Sequence, residues 1–168
     1  GGITLLLVLI LGTTQPALGA DWPQYRGAHL DGTTEEKVML RNWPQEGPPQ
    51  LWKVPTPNGF SSFTTAGGKA FTLVSREDAD GLQRETCVAL DAATGKELWA
   101  FTMCIAKYEG GGDSGTDDNN GGDGSRSTPS LDGGRVYLYD SQINLYCLNG
   151  EDGKVLWSKN IGEDFAGP

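Results

Sequence analysis

From residue 60 onward, apolar residues come in short runs separated by Gly, Asp, Asn and Thr, and no stretch of 11 carries them at helical spacing. These runs predict one set of strands at 61–66, 69–75, 85–90 and 96–103. A second set is predicted at 127–131, 134–140, 143–148 and 154–160. Within the second set, Arg135-Val136-Tyr137-Leu138-Tyr139 carries apolar groups at odd and even positions alike. A strand enclosed between two sheets needs that pattern, because neither of its faces meets water. The chain reads as all-β, built from four-stranded antiparallel sheets.

The two sets are copies of one unit. Ser61 to Leu73 (SSFTTAGGKAFTL) aligns with Ser127 to Tyr139 (STPSLDGGRVYLY), with the Gly67-Gly68 and Gly133-Gly134 turns in register. Ala89 to Trp99 (ALDAATGKELW) aligns with Cys147 to Trp157 (CLNGEDGKVLW). A Leu-Trp pair recurs at Leu51-Trp52, Leu98-Trp99 and Leu156-Trp157. The second interval is lengthened by a Gly/Asp/Asn tract from Gly110 to Gly124. A unit of roughly 40–50 residues is the size of one propeller blade.

The first copy carries the pattern A-x-D-x-x-T-G-K-x-x-W in Ala89, Asp91, Thr94, Gly95 and Trp99. It resembles the tryptophan-docking motif of the pyrroloquinoline-quinone (PQQ) propeller family, shared by quinoprotein dehydrogenases and the outer-membrane assembly propeller. Asp91 suits a turn between the third and fourth strands because it can accept backbone N–H bonds across it, and Gly95 permits positive φ. The resemblance implies that the Trp ring stacks over the motif glycine of an adjacent blade. Gly153 and Trp157 look like the second copy, in which Cys147 replaces Ala, Asn149 replaces Asp and Asp152 replaces Thr. Asn149 keeps the acceptor oxygen but loses the charge, so weaker capping is expected there. Both Trp99 and Trp157 are expected to be largely buried at or near a blade interface.

The segment Asp21-Trp22-Pro23-Gln24-Tyr25-Arg26-Gly27, with Asn42-Trp43-Pro44 and Arg126-Ser127-Thr128-Pro129, is similar to secreted bacterial PQQ-like repeat proteins. Residues 20–50 are expected to be an extended N-terminal segment, followed by a partial propeller over 51–168. Its expected parts are blades at 60–103 and 126–160 and an insertion at 110–124. Leu51-Trp52-Lys53-Val54 carries a last-strand signature with no first three strands before it. It reads as a ring-closing strand, centred on Leu51 and Trp52. Two blades do not close a ring of four to eight, so the chain is expected to be the N-terminal part of a longer protein.

Composition narrows the function. There are 25 Gly and 9 Pro, which favour turns over long helices. The net charge of −9 excludes nucleic-acid binding, which needs a basic footprint, and argues against an anionic membrane surface. The run Ile3 to Leu11 has the length of a signal-peptide h-region and is too short to span a membrane. With Ala17-Leu18-Gly19 behind it, residues 1–19 read as a signal peptide lacking its n-region, cleaved after Gly19 or Ala20. No Cys stands near that point to carry a lipid. An exported protein follows, periplasmic or extracellular and soluble rather than lipid-anchored, with no membrane span. Cys87, Cys104 and Cys147 fit no metal spacing, and Cys87 and Cys147 read as small buried hydrophobes.

Candidate chemistry is sparse. Asp113, Asp117, Asp118 and Asp123 are weak Ca²⁺ candidates, but the tract lacks a closing Glu and holds too many glycines to order cheaply. A flexible surface insertion is the preferred reading. No catalytic or cofactor-binding residue is assigned: Ser61, Ser62 and Ser127 stand at strand starts, and His29 is alone in a loop. Two classes follow from the resemblance. One is a non-catalytic scaffold with a protein or glycan partner in the cell envelope, which is preferred. The other is a quinoprotein alcohol or sugar dehydrogenase, with PQQ and Ca²⁺ held only in the full-length parent.

Overall fold

The structure is a computed structural model and describes residues 19–37, 42–106 and 124–165. It contains two antiparallel four-stranded sheets, each with its strands in sequence order. The first holds β1 (Thr64–Ala66), β2 (Lys69–Glu77), β3 (Gln83–Asp91) and β4 (Glu97–Ile105). The second holds β5 (Ser130–Asp132), β6 (Arg135–Tyr139), β7 (Asn144–Asn149) and β8 (Val155–Asn160). The architecture is all-β, a partial propeller of two blades. One short helix, α1 (Ile161–Asp164), follows β8 and is capped by the Asn160 side chain, which accepts from the Glu163 N–H.

The sheets form where the runs of apolar residues predicted them, and the differences lie at their inner edges. β1 and β5 are three residues each, shorter than 61–66 and 127–131. Instead of extending those strands, the preceding residues hydrogen-bond to one another: Phe60 N–H donates to Ser125 O at 2.8 Å and Ser62 N–H to Thr128 Oγ1 at 3.2 Å. Residues 51–54 join no ladder among the described residues. The segment after residue 20 is not extended throughout; it folds into turns over 24–32, with Arg26 at φ 63° and Leu30 at φ 59°.

The core lies between the sheets. Strand alternation puts Phe71, Leu73, Cys87, Ala89 and Met103 on one face of the first sheet, against Val136, Leu138 and Leu148 of the second. Trp99, Phe101 and Tyr146 pack at its margin, with Phe101 and Tyr146 edge to face at 5.3 Å between centroids. Each fully buried Leu contributes about 1.5–3 kcal/mol of transfer free energy. The strands apolar on both faces are β2 and β3, whose other face, Thr72, Val74, Val88 and Leu90, is also buried. Arg135–Tyr139 does not behave this way. Val136 and Leu138 are buried but Arg135 and Tyr139 are exposed, since no sheet covers that side among the described residues.

An N-terminal strap ties the inner edges together. Trp22 and Thr65 exchange backbone hydrogen bonds of 2.8 and 2.9 Å, and Pro23 O accepts from Leu131 N–H at 2.7 Å. One strap residue therefore binds β1 and the next binds β5. All three cysteines are free thiols, Cys87 and Cys147 buried and Cys104 half-buried. Cys87 pairs with Phe101 across the hairpin, out of register for a bond to Cys104.

Truncating the shared core tests this arrangement. Leu73→Ala, which empties a fully buried position facing the second sheet, is expected to cost about 2–5 kcal/mol. Leu156→Ala, at a side chain half exposed on β8, is expected to stay within about 0.5 kcal/mol. Urea denaturation followed by circular dichroism measures both.

Candidate functional site

The site is best built from the turn that the sequence motif occupies. In the β3–β4 turn, Asp91 Oδ1 accepts from Thr94 N–H at 2.8 Å, Thr94 Oγ1 at 2.8 Å and Ala93 N–H at 3.1 Å. Gly95 N–H donates to Asp91 O, and Gly95 takes φ 72°. The Thr94 hydroxyl, then the backbone donors, hold the Asp91 carboxyl below the usual carboxylate range. In the β7–β8 turn the same frame survives with fewer bonds. Asn149 Oδ1 accepts only from Glu151 N–H, at 2.8 Å, and Asp152 adds a bond from Lys154 N–H at 3.1 Å. Gly153 takes φ 71°.

Each of these glycines has an indole on it. A methyl group built on Gly153 would lie 2.7 Å from Cε3 of Trp99, closer than carbon atoms approach, so the ring occupies the space of the missing side chain. Trp99 Nε1 donates to Gly150 O at 3.2 Å, fixing the ring across the gap between the sheets. Ala89, opposite Trp99 in the ladder, is fully buried and takes part in the same core. On the first sheet, Trp52 does to Gly95 what Trp99 does to Gly153. The corresponding methyl would lie 2.6 Å from Cε3 of Trp52, and Trp52 Nε1 donates to Ala92 O at 3.0 Å. Trp52 reaches this seat from an unpaired segment, while its neighbour Leu51 is 82% exposed.

Trp157 departs from expectation. It is 41% exposed rather than largely buried, because it points away from the first sheet to a side with no glycine seat among the described residues. A third ring, Trp22, lies on Gly27, which the repeat pattern did not foretell. The signal there is the short spacing from a Trp to a Gly that must adopt φ 79°.

Two clefts open between the sheets at opposite ends. One, of about 490 Å³, lies beside the β1–β2 and β5–β6 turns, with Phe71, Leu131 and Val136 among its apolar lining and Asp21, Asp132 and Arg135 among its charges. Lys69 and Glu151 join across it at 2.8 Å. The other, about 280 Å³, is lined by Glu85, Arg126, Ser127, Tyr139, Asp140 and Ser141. Asp140 there is buried and accepts from Gln142 N–H, Asn144 N–H and Tyr146 Oη. Burial, then the adjacent Asp140 carboxylate, pushes the Tyr146 hydroxyl up to about 12. Sequence reading passed over Asp140; its signal is an Asp closing a strand four residues before an Asn.

Among the described residues no three His, Cys, Asp or Glu side chains converge as a metal ion requires. The motif carboxylate is committed to its turn, and a tricarboxylate such as PQQ needs a cation beside any acid. Asp113, Asp117, Asp118 and Asp123 lie outside the described residues, as does the leader up to residue 18. His29 is exposed, 4.0 Å from Glu35. No described helix is long and apolar enough to cross a membrane.

Residues 83–168, just over half of the chain, match the PQQ-repeat family described as outer membrane protein assembly factor BamB. The crystal structure of BamB from Moraxella catarrhalis is similar at 14% identity and a TM-score of 0.32. That likeness covers 62% of this chain and 33% of the other, so the chain spans about a third of that protein's length. No curated protein matches it.

Two outcomes follow from the seats. Gly153→Ala adds a methyl into the Trp99 ring as well as a left-handed backbone strain of about 1–2 kcal/mol. Gly133→Ala, at φ 53° with nothing within 4 Å, adds the strain alone. The first is expected to destabilise more in thermal melts and to shift Trp fluorescence; equal losses contradict ring docking. The second outcome concerns acid. Asp91 is depressed in the fold, so its stabilisation is complete above its unfolded value near 3.9 and is lost as pH falls through the lower folded value. Asp91→Asn is therefore expected to flatten the decline of Tm between roughly pH 5 and pH 2.

Proposed function

The chain belongs to the PQQ-repeat family of outer membrane protein assembly factor BamB, and from that premise we propose that it is a non-catalytic, protein-binding scaffold of the cell envelope. The observation that carries this reading is where the motif residues spend their bonding capacity. Asp91 and Thr94 close a turn, Gly95 and Gly153 seat indoles, and Trp99 spans two sheets. All of them serve architecture, and none is left facing a ligand as a base, a nucleophile or a metal donor. A fold of this kind offers faces and clefts to a partner, and the activity resides in whatever site is placed on it.

The partner face in this proposal is the cleft between the β1–β2 and β5–β6 turns. Its rim alternates charge, with Asp21, Asp132 and Glu151 beside Lys69 and Arg135, over an apolar floor. Small apolar floors ringed by mixed charge suit a protein surface better than a small anion. The same reading has the protein exported, acting in the periplasm or outside the cell as a soluble rather than lipid-anchored chain, and holding neither PQQ nor Ca²⁺ itself.

A photo-crosslinking residue at Asp132, in the exported chain, is expected to capture a discrete envelope protein, and the same probe at the exposed Glu46, outside the cleft lining, is not. Calorimetric titration with Ca²⁺ followed by PQQ is the opposing test. Micromolar or tighter PQQ binding that depends on Ca²⁺ would move the protein to the dehydrogenase class.

A further inference from the structure

Three Asn-Gly dipeptides stand in this chain, at Asn58, Asn120 and Asn149. An asparagine before a glycine is able to close a ring on itself, because a residue without Cβ leaves its backbone nitrogen open to the Asn side-chain carbonyl carbon. Two bonds oppose that closure, one that holds the proton of the nitrogen and one that holds the side chain. Asn120 lies outside the described residues, and the fold treats the other two oppositely.

At Asn149 both holds are present. Gly150 N–H donates to Gly134 O at 2.9 Å, and Asn149 Oδ1 accepts from Glu151 N–H at 2.8 Å. Gly150 is buried as well, with its own carbonyl taken by Trp99 Nε1. At Asn58 neither hold is present: among the described residues nothing accepts from Gly59 N–H and nothing bonds the Asn58 side chain. Both residues are exposed, so water reaches them. Only the main-chain carbonyl of Asn58 is fixed, accepting from Ser75 N–H at 2.6 Å.

We propose that Asn58 is a site of spontaneous deamidation, selected by the fold over Asn149, and that its isoaspartate product loosens the tie between the sheets. The Gly59 nitrogen gives its proton to hydroxide and bonds to Cγ of Asn58, and the side-chain amide leaves as ammonia after taking a proton from water. The resulting succinimide takes up one water. Breaking the new N–Cγ bond gives aspartate; breaking the original peptide bond gives isoaspartate. The sum is one water consumed and one ammonia released. In isoaspartate the main chain runs through Cβ and Cγ, one carbon longer, and the carbonyl that held Ser75 becomes a side carboxylate. Gly59 has no room to absorb the extra carbon, since a methyl group built on it would lie 2.9 Å from Leu73 O. One residue on, Phe60 N–H makes the 2.8 Å bond to Ser125 O that joins the entries to the two sheets.

Peptide-mapping mass spectrometry of the full 168-residue chain, held in mildly alkaline buffer with and without urea, tests the selection. In the folded chain, conversion at Asn58 is expected to run at least about tenfold ahead of Asn149, whose glycine nitrogen is released only by local opening. In urea the two rates are expected to converge. Thermal melts test the loosening, in an Asn120→Ser background that removes the third dipeptide. The isoaspartate-bearing fraction, separated by its added negative charge and confirmed by mapping, is expected to melt below the starting chain. Asn58→Asp carries the charge without the extra carbon and is expected to melt as the starting chain does. Asn149 keeping pace with Asn58 in the folded chain overturns the proposal, and so does an Asn58 that reacts only in urea. An isoaspartate fraction that melts unchanged, or Asn58→Asp melting as low as that fraction, overturns it equally.

Discussion

An indole laid on a bare glycine is the contact on which this structure depends. Sheets stacked face to face gain most of their stability from apolar burial, which is indifferent to small slides and rotations. The Trp99–Gly153 contact is not indifferent. It needs a residue without Cβ, a turn that presents that residue at positive φ, and a carbonyl within reach of Nε1. Each requirement fixes one aspect of how the second sheet sits on the first. The Asp91 and Asn149 turns matter because they aim the glycine, which is why the polar letters of the motif tolerate exchange while Gly and Trp hold their places in both copies.

The rest of the packing follows from having two faces per sheet and an unequal cover for each. The first sheet is enclosed on both sides, so the middles of β2 and β3 are buried at odd and even positions alike. The second sheet is enclosed on one side, so β6 alternates and its outer aromatic residues meet water. The same repeat sequence therefore reads differently in its two copies, through context rather than through the residues themselves. The strap from Asp21 to Pro23 resolves the inner edges, where β1 and β5 are too short to hold each other by ladders alone.

Much of this was legible in the chain. The eight strands, the double-glycine turns and the aligned Trp and Gly positions are set by local pattern, and local pattern is what a sequence displays. The exposure of Trp157 was not, because burial depends on which neighbour is present and not on the residue. Leu51-Trp52-Lys53-Val54 looks like a strand, yet among the described residues it joins no ladder; Trp52 seats on Gly95 and Val54 lines a cleft over Val74 and Val88. The Trp22–Gly27 contact escaped for another reason: it occurs once, and a repeat comparison finds only what occurs twice. Asp140 has a counterpart in Asp78, which accepts the same two backbone donors in the β2–β3 turn, but only Asp140 is buried, and burial is not written in the turn. The candidate binding cleft escaped as well, since it is assembled from turns of both sheets with no motif of its own.

The strap has a consequence for the order of folding. Hairpin contacts within each sheet join residues a few positions apart and form early, because short loops close at little entropic cost. Trp22 must wait for Thr65, 43 residues on, and Pro23 for Leu131, more than a hundred residues on. As the ribosome delivers the chain, the strap emerges before both strands that it binds and finds its place only after them. Until β5 exists, the inner edge of the first sheet stands half-tied, a waiting state that a chaperone is suited to guard.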